Sequence, residues 1–190
     1  MGEASRAAPE DERALIERAQ AGDREALERL YLLHFDRVYS YLHMSVGNRH
    51  DAEDLTTHTF LKMLEAIPRY RVGSAPFSAW LFRIAHNLAM DHFRAARRWQ
   101  PEQEVPEPAD EEPSAEAAAM HDLGRESMLE LIETLSQDQK QVLALKFVLN
   151  FSNADAATIL GKTEGAVKSL QHRALVSLEK RLAGIELEAA

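Results

Sequence analysis

The sequence predicts an all-α protein made of two small helical domains. Three observations lead to this class: long stretches repeat apolar residues at helical spacing, alternation typical of strands is scarce, and 190 residues include only 8 glycines and 7 prolines. The chain is 45% hydrophobic, which is enough to bury cores. It contains no cysteine, which excludes a disulfide framework, a thiolate metal site and a cysteine nucleophile.

Charge is segregated along the chain, although the net charge at pH 7 is −9. An acidic first part is followed by a basic block, a strongly acidic block and a balanced C-terminal part. Their net charges are −5 for 1–60, +5 for 61–100, −9 for 101–130 and 0 for 131–190. The basic block indicates a surface for an anionic partner, which the negative net charge of the whole chain would not suggest.

The acidic block also marks the boundary between the domains. It contains four prolines among acidic residues and alanines, and prolines break helices while like charges keep a chain extended. The predicted organisation is a disordered N-terminus at 1–11, a helix bundle at 12–100, a flexible acidic linker at 101–120, a second helical domain at 121–184 and a tail at 185–190.

The first domain is predicted to be a helix bundle. Its first helix begins near Glu12, its second ends at Gly47, and a third follows with Asp51 as N-cap and Asp54 three residues on in a capping-box relation. Pro68 is expected to end that third helix. The apolar residues at helical spacing are expected to form its buried side, and they are Leu55, Phe60, Leu61, Leu64 and Ile67. No run of the sequence is long enough for a membrane span, and the N-terminus lacks the regions of a signal peptide, so we expect a cytoplasmic protein.

A fourth helix, from Phe77 to about Trp99, is predicted to have two unlike faces. Its apolar face carries Phe77, Leu81, Ile84 and Leu88, with Trp80 at the edge. Its opposite face carries Arg83, Asn87, Met90, Arg94, Arg97 and Arg98, and Arg69 and Arg71 precede the helix. Arginine binds phosphate in a bidentate manner, asparagine can read a base edge, and nearby aromatic rings suit an unpaired strand. An ordinary solvated basic face is the alternative.

The C-terminal residues 151–182 predict a helix-turn-helix. A short helix leads to the turn Gly161-Lys162-Thr163, and a longer helix follows. On that longer helix one face is apolar (Val167, Leu170, Ala174, Leu178, Leu182) and the other can form hydrogen bonds (Gly165, Lys168, Ser169, His172, Arg173). This is the form that enters a DNA major groove, although an amphipathic helical hairpin without DNA remains the alternative.

Four motifs in order resemble a bacterial sigma factor of the sigma-70 family, extracytoplasmic-function group. They are DAEDLTTHTFLKM, PFSAWLFRIAHNLAMDHFR, LSQDQKQVLALKF and GAVKSLQHRAL. The resemblance covers about residues 12–183. It implies two helical domains, sigma region 2 and sigma region 4, which together direct RNA polymerase core to a promoter. It implies no enzymatic activity, cofactor or metal in the chain itself.

The resemblance also assigns partners and residues. Region 2 is expected to dock the clamp helices of the largest polymerase subunit through Asp51, Glu53, Asp54, Leu55, Thr59, Phe60 and Leu61. It is expected to hold the single-stranded −10 element through Arg69, Arg71, Trp80, Arg83, Asn87, Arg94, Arg97 and Arg98, with Asn87 at a pocket for a flipped-out base.

Region 4 is expected to read the duplex −35 element and to dock the flap of the second-largest subunit. The residues assigned to the DNA are Lys162, Thr163, Glu164, Lys168, Ser169, His172 and Arg173. The resemblance further implies an anti-sigma factor, a protein that holds the sigma factor inactive, and no direct membrane insertion by this chain.

Two other functions compete with this interpretation. One is a stand-alone helix-turn-helix regulator with a helical ligand-sensing domain, which would not need the second basic, aromatic-flanked helix. The other is a helical metalloenzyme, because His50, Asp54 and His58 recur at intervals of four and could line one helix face as ligands. His86, Asp91 and His92 flank the basic face, but no nucleophile or paired-carboxylate arrangement accompanies them.

Overall fold

The computed structural model describes residues 11–71, 73, 75–99, 132 and 134–188, and for 97–99 and 183–188 it describes the backbone alone. These residues form helices and connections without a strand, which confirms the all-α class. The first domain contains α1 (Glu12–Gln20), α2 (Arg24–Val46), α3 (Arg49–Ala66), a 3-10 turn (Ile67–Arg69) and α4 (Phe77–Trp99). The second contains α5 (Gln137–Leu143), a π-helical turn (Ala144–Val148), α6 (Asn153–Leu160) and α7 (Glu164–Glu188). Residues 1–10 of the predicted N-terminus and the whole predicted linker lie outside the described residues.

Polar side chains set the helix starts in the first domain, and one start differs from the prediction. Asp23 caps α2 by accepting a hydrogen bond from the Glu25 amide at 2.9 Å. The N-cap of α3 is Asn48, whose side-chain oxygen accepts from the Asp51 amide at 3.1 Å, so the prediction of Asp51 as N-cap is wrong. Asn48 caps the helix instead of Asp51 because its backbone is extended, so its side-chain oxygen reaches the free amide of Asp51 in the first turn.

The core of the first domain lies between α2, α3 and α4. Leu30, Leu42, Met63 and Leu81 are buried there almost completely. Burial of each such side chain stabilises the fold by about 1.5–3 kcal/mol relative to exposure. Pro68 falls within the 3-10 turn directly after α3, as expected for a residue that cannot continue a helix.

The second domain forms the predicted helix-turn-helix. Ser136 begins α5 with a capping box to Gln139, and Ser152 caps α6 by accepting from the Asp155 amide at 3.0 Å. The turn contains Gly161 in the left-handed region at φ 62°, where a side chain would be strained. The last helix continues to Glu188, so residues 185–188 are helical where the sequence predicted a tail.

The two domains pack directly against each other, an arrangement that the sequence did not predict. The helix α6 packs against α4, and α5 packs against α2. The Phe82 ring of α4 meets the Phe151 ring edge-on, with centroids 5.0 Å apart. As a result α4 has a second buried side, made by Phe82, Ala85 and Ala89, that its predicted two-faced pattern did not include.

Candidate nucleic-acid and polymerase interfaces

The basic face of α4 forms a continuous exposed stripe. Arg83, Asn87 and Arg94 recur along one side of the helix and are all exposed. Asp91 lies on the same side and binds Arg94 through an Nη2–Oδ1 contact of 2.5 Å. The side chains of Arg97 and Arg98 lie outside what the structure describes. The predicted −10 residues in the described part of this helix are therefore together and accessible.

An aromatic cluster stands at the N-terminal end of the stripe. Tyr70 and Trp80 are half-buried, with ring centroids 4.7 Å apart, and both contact the buried Phe77 at 5.3 and 5.2 Å. Arg69 and Arg71 flank Tyr70 and are exposed. The sequence placed Trp80 and the arginines here, but the three-ring cluster arises from the chain reversal between α3 and α4.

The connection that carries Tyr70 is held by α1. The Gln20 side-chain amide donates to the backbone carbonyls of Ile67 at 3.1 Å and Tyr70 at 2.6 Å. These bonds cross 47 and 50 residues of sequence, so no local pattern could have identified Gln20. An open cleft of about 320 Å³ lies beside Tyr70, between the start of α1 and residues 73 and 75–77.

His86 is buried, although it was expected to flank the basic face. Its Nδ1 lies 3.2 Å from the Tyr41 hydroxyl. Burial lowers the pKa of His86 from 6.5 to about 4, with a partial opposite effect from Asp138. His92, which was expected beside it, is half-buried and faces α3, where its Nε2 lies 3.6 Å from the Asp51 carboxylate.

The residues expected to bind the polymerase clamp divide into exposed and buried groups on α3. Glu53, Asp54 and Leu61 are exposed, whereas Asp51 is half-exposed and faces His92. Leu55, Thr59 and Phe60 are buried, and the Thr59 hydroxyl donates to the Leu55 carbonyl at 2.7 Å. These three side chains support the exposed face from beneath in this conformation.

Two exposed apolar residues beside this face were missing from the sequence-based set. Leu64 is 43% exposed one turn after Phe60, and Tyr31 of α2 packs edge-on against Phe60 with centroids 4.7 Å apart. Together with Leu61, which is 50% exposed, they form what we call the α2–α3 apolar surface. Helical spacing assigned Leu61 and Leu64 to the buried side, and only the packing of α2 on α3 shows which apolar residues remain uncovered.

The recognition side of the helix-turn-helix is exposed. Its five residues beyond the turn are Glu164, Lys168, Ser169, His172 and Arg173. The opposite side of α7 is buried at Val167, Leu170 and Ala174, half-buried at Leu178 and exposed at Leu182. The buried part of α7 therefore ends before its apolar pattern does.

Two turn residues already have intramolecular partners. The Thr163 hydroxyl accepts from the Ala166 amide at 3.2 Å and so caps α7. The Lys162 ammonium forms an ion pair with Asp138 of α5 at 2.9 Å. A contact of Lys162 with DNA would replace or share this ion pair.

The histidine positions on α3 do not form a metal site. His50 lies within α3, and its Nε2 is 4.0 Å from the Asp54 carboxylate, with both side chains largely exposed. Within the part of the chain that the structure describes, no group of three or more metal-ligating side chains converges. None of the helices in these described residues combines the length and the hydrophobicity that spanning a bilayer requires.

Comparison with known proteins gives the same assignment for both domains. Residues 30–99 match the family Sigma-70 region 2, and residues 125–178 match the family Sigma-70, region 4. The chain is 39% identical over 171 residues to the ECF RNA polymerase sigma factor BldN of Streptomyces coelicolor, covering 88% of this chain and 64% of BldN. It is 33% identical over 175 residues to the ECF RNA polymerase sigma factor SigD of Mycobacterium tuberculosis, covering 89% of this chain and 82% of SigD.

The fold also matches a solved sigma factor. The structure of RpoE from Bartonella quintana, determined in complex with the anti-sigma factor NepR, superposes with a TM-score of 0.69 and 24% sequence identity. That match covers 82% of this chain and 96% of the other. Both region families, the order of the domains and the relatives therefore agree, and the regulator alternative is not favoured. The chain belongs to the extracytoplasmic-function group of the sigma-70 family and is an RNA polymerase sigma factor that directs promoter-specific transcription initiation.

Proposed function

We propose that the exposed stripe on α4 holds the −10 element as an unpaired strand. Arg83 and Arg94 present guanidinium groups at the two ends of the described stripe, and Asn87 lies between them with its amide exposed. This order suits phosphate contacts on either side of one base-reading group. The single observation that carries the proposal is the simultaneous exposure of these three side chains on one face of a helix whose other side is buried at Leu81, Phe82 and Ala85.

The aromatic cluster supplies the second part of this site. An unstacked base loses a few kcal/mol, and stacking on an aromatic ring restores about 1–3 kcal/mol per base. Trp80 and Tyr70 are half-buried rings directly before Arg83 along the stripe, and Arg69 and Arg71 stand beside them. The unpaired strand would therefore run from the cluster along α4.

The −35 element would bind α7 through the major groove. Lys168, Ser169, His172 and Arg173 are exposed on one side of the helix, and the turn places the start of the helix free of the domain core. The Ser169 hydroxyl donates to the Gly165 carbonyl at 2.9 Å, so a base contact by Ser169 would use its oxygen as acceptor. Glu164, in the first turn, can accept from a cytosine amino group.

RNA polymerase core would bind region 2 through α3. The exposed carboxylates of Glu53 and Asp54 lie on α3, as does Leu61 of the α2–α3 apolar surface. An apolar centre with charged neighbours is the usual anatomy of a protein interface. In region 4, Phe147 and Val148 are 54% and 51% exposed at the π-helical turn and are the residues we assign to the flap of the second-largest subunit.

Three further assignments follow from the proposal. The chain would act in the cytoplasm, where polymerase and promoters are, and would leave the chemistry of RNA synthesis to the polymerase. It would also bind an anti-sigma factor, a partner that the RpoE–NepR complex supports by analogy of fold. The α2–α3 apolar surface is available for such a partner in competition with core polymerase.

Transcription with purified components tests the proposal. The protein with RNA polymerase core should produce run-off transcripts from specific genomic fragments, and the protein alone or core alone should not. Asn87→Ala should reduce promoter opening with little effect on core binding. Arg29→Ala is the control, because Arg29 is an exposed residue of the same domain that lies on α2, outside the stripe.

Two results would contradict the proposal. Promoter opening by Asn87→Ala equal to that of the unaltered protein, measured by permanganate footprinting, would remove Asn87 from base reading. Tight sequence-specific binding of duplex DNA by the protein without polymerase would instead support the stand-alone regulator.

A further inference from the structure

The exposed stripe on α4 contains a carboxylate between its cationic ends. Along the helix the exposed side chains follow at intervals of four, four and three residues, which keeps them on one side, and they are Arg83, Asn87, Asp91 and Arg94. The Asp91 side chain is 67% exposed. Within the basic block 61–100 the only other acidic residue is Glu65, which lies on α3. An acid at this place is not what a surface for phosphates alone requires.

The carboxylate of Asp91 fixes the guanidinium of Arg94. Arg94 donates from Nη2 to Asp91 Oδ1 at 2.5 Å and from Nε to the Met90 carbonyl at 3.3 Å. Two of its three nitrogens thus have partners on the same helix. A phosphate that used both Nη atoms of Arg94 would have to share Nη2 with Asp91. The carboxylate therefore limits how a phosphate can approach this end of the stripe.

The spacing along α4 leaves room for bases between the two arginines. At 1.5 Å per residue, Arg83 and Arg94 are about 16 Å apart along the helix axis, and Asn87 and Asp91 lie between them about 6 Å apart. The amide of Asn87 can donate or accept, whereas the ionised carboxylate of Asp91 only accepts. A strand that crosses the middle of the stripe must therefore present N–H donors to Asp91 rather than phosphate oxygens.

Unpaired and paired DNA differ in the donors that they can offer to Asp91. Every base has at least one N–H group on its Watson–Crick edge, and base pairing occupies these groups in a duplex. Unpaired bases leave this edge free to bind protein side chains. A closed duplex lying along α4 would offer mainly phosphate and sugar, which take half to two-thirds of protein–DNA hydrogen bonds. Asp91 attracts the first kind of DNA and repels the second.

We propose that Asp91 is a specificity-determining residue, which makes the stripe select unpaired DNA over closed duplex. The inference rests on the proposed function, in which the stripe holds the −10 element as an unpaired strand. Asp91 contributes in two ways: it accepts from a base of the unpaired strand, and it repels the phosphates of a duplex that has not opened. Specificity often depends on such an unfavourable interaction with the wrong partner.

Binding of holoenzyme to two forms of one promoter fragment tests the role of Asp91. The first form is fully paired, and the second has the same upstream duplex with the −10 strand unpaired, so contacts of region 4 are equal in both. Asp91→Asn keeps the size of the side chain and removes its charge. The ratio of the two affinities should fall about fivefold, because duplex binding rises and unpaired-strand binding weakens. The rise in duplex binding should shrink as salt is added.

Glu65→Gln is the matched control for this experiment. Glu65 is also an exposed acid, and it binds Lys62 at the same spacing of three residues, with 2.8 Å between Oε2 and Nζ. Its substitution should leave the ratio of affinities unchanged, and Asp91→Glu, which keeps the carboxylate, should retain the selectivity. Circular dichroism checks that each variant keeps its helices, and permanganate checks that the paired probe stays closed at the temperature used. An unchanged ratio in Asp91→Asn would overturn the inference and reduce the contact with Arg94 to an ordinary surface ion pair.

Arg83→Ala separates this inference from the proposed function. Arg83 is exposed at the other end of the stripe, so its loss should weaken binding of the unpaired form. If Arg83→Ala weakens that binding while Asp91→Asn leaves the ratio unchanged, only the role of Asp91 is wrong. If Arg83→Ala and Asn87→Ala both bind the unpaired form as the unaltered protein does, the stripe does not hold the strand and the proposed function fails as well.

Discussion

Protonation of His86 should destabilise the protein measurably in mild acid. The imidazole is 8% exposed between α2 and the second domain, with the Tyr41 hydroxyl at 3.2 Å from Nδ1. Burial lowers its pKa from 6.5 to about 4; Asp138 raises the pKa, and Lys162 and Arg83 lower it. The neutral ring is therefore the form that the folded protein accommodates.

The sign and size of the effect follow from proton linkage. Between the two pKa values the unfolded chain binds more protons than the folded one, so stability falls as pH is lowered through this window. Integration of a shift from 6.5 to about 4 gives a loss of about 2 kcal/mol between about pH 7.5 and about pH 5. The neutral His86 ring contributes its full stabilisation above its pKa in the unfolded chain, 6.5, and this contribution is lost as the pH falls toward its pKa in the folded protein, about 4.

Urea unfolding followed by helical circular dichroism at the two pH values measures this loss. The His86→Gln variant retains a hydrogen-bonding group toward Tyr41 but cannot be protonated, so its stability should change about 2 kcal/mol less over the same interval. The same substitution at His43, an exposed histidine of α2, controls for the loss of a histidine as such. Equal pH dependence in His86→Gln and the unaltered protein would refute the reasoning.

Four substitutions test other parts of the structure. Asn87→Ala should cost about 1–3 kcal/mol in initiation, a factor of about 5 to 150, and permanganate footprinting should show the loss at the −10 element. Arg173→Ala should weaken binding of holoenzyme to −35 duplexes of any sequence and reduce the slope of log affinity against log salt concentration by about one. A loss confined to certain sequences would contradict a phosphate contact by Arg173. Gln20→Ala should lower the free energy of unfolding by about 1–2 kcal/mol, because it removes the hydrogen bonds to the Ile67 and Tyr70 carbonyls. It should also weaken binding of an unpaired strand, and unchanged strand affinity would show that Gln20 supports only the fold. Gly161→Ala should cost about 1–2 kcal/mol in thermal unfolding from backbone strain alone, because nothing lies within 4 Å of an added Cβ, and an unchanged midpoint would contradict it.

Local patterns in the sequence were sufficient for the class of fold and the recognition helix. Gly47 and Gly161 follow the ends of helices, as predicted, and both are in the left-handed conformation, which a residue without Cβ adopts with the least strain. The exposed side of α7 from Lys168 to Arg173 was predicted because helical spacing alone assigns residues to one side or the other. Such features depend on residues within one or two turns of each other.

Predictions from local sequence failed where neighbouring residues of similar type could fill the same role. Asp51 and Asn48 are both good N-caps, and the choice of Asn48 depends on an extended backbone at that position, which residue type does not specify. Spacing also assigned Leu61 and Leu64 to the buried side of α3, but the packing of α2 leaves both exposed.

The sequence by itself determined two helical domains, a basic face on α4 and an exposed hydrogen-bonding side on α7, because helical periodicity, capping residues and charge can be identified from consecutive residues. Only the tertiary structure decided that α4 is buried on a second side, that Gln20 holds the connection before it, and that Arg37 of α2 joins the domains through the Leu149 carbonyl. The hydrogen bonds of Gln20 and Arg37 connect residues that are 47 to 112 positions apart in the sequence. Whether such a bond forms depends on burial, desolvation and bond geometry in the folded chain, which the pattern of neighbouring residues does not predict.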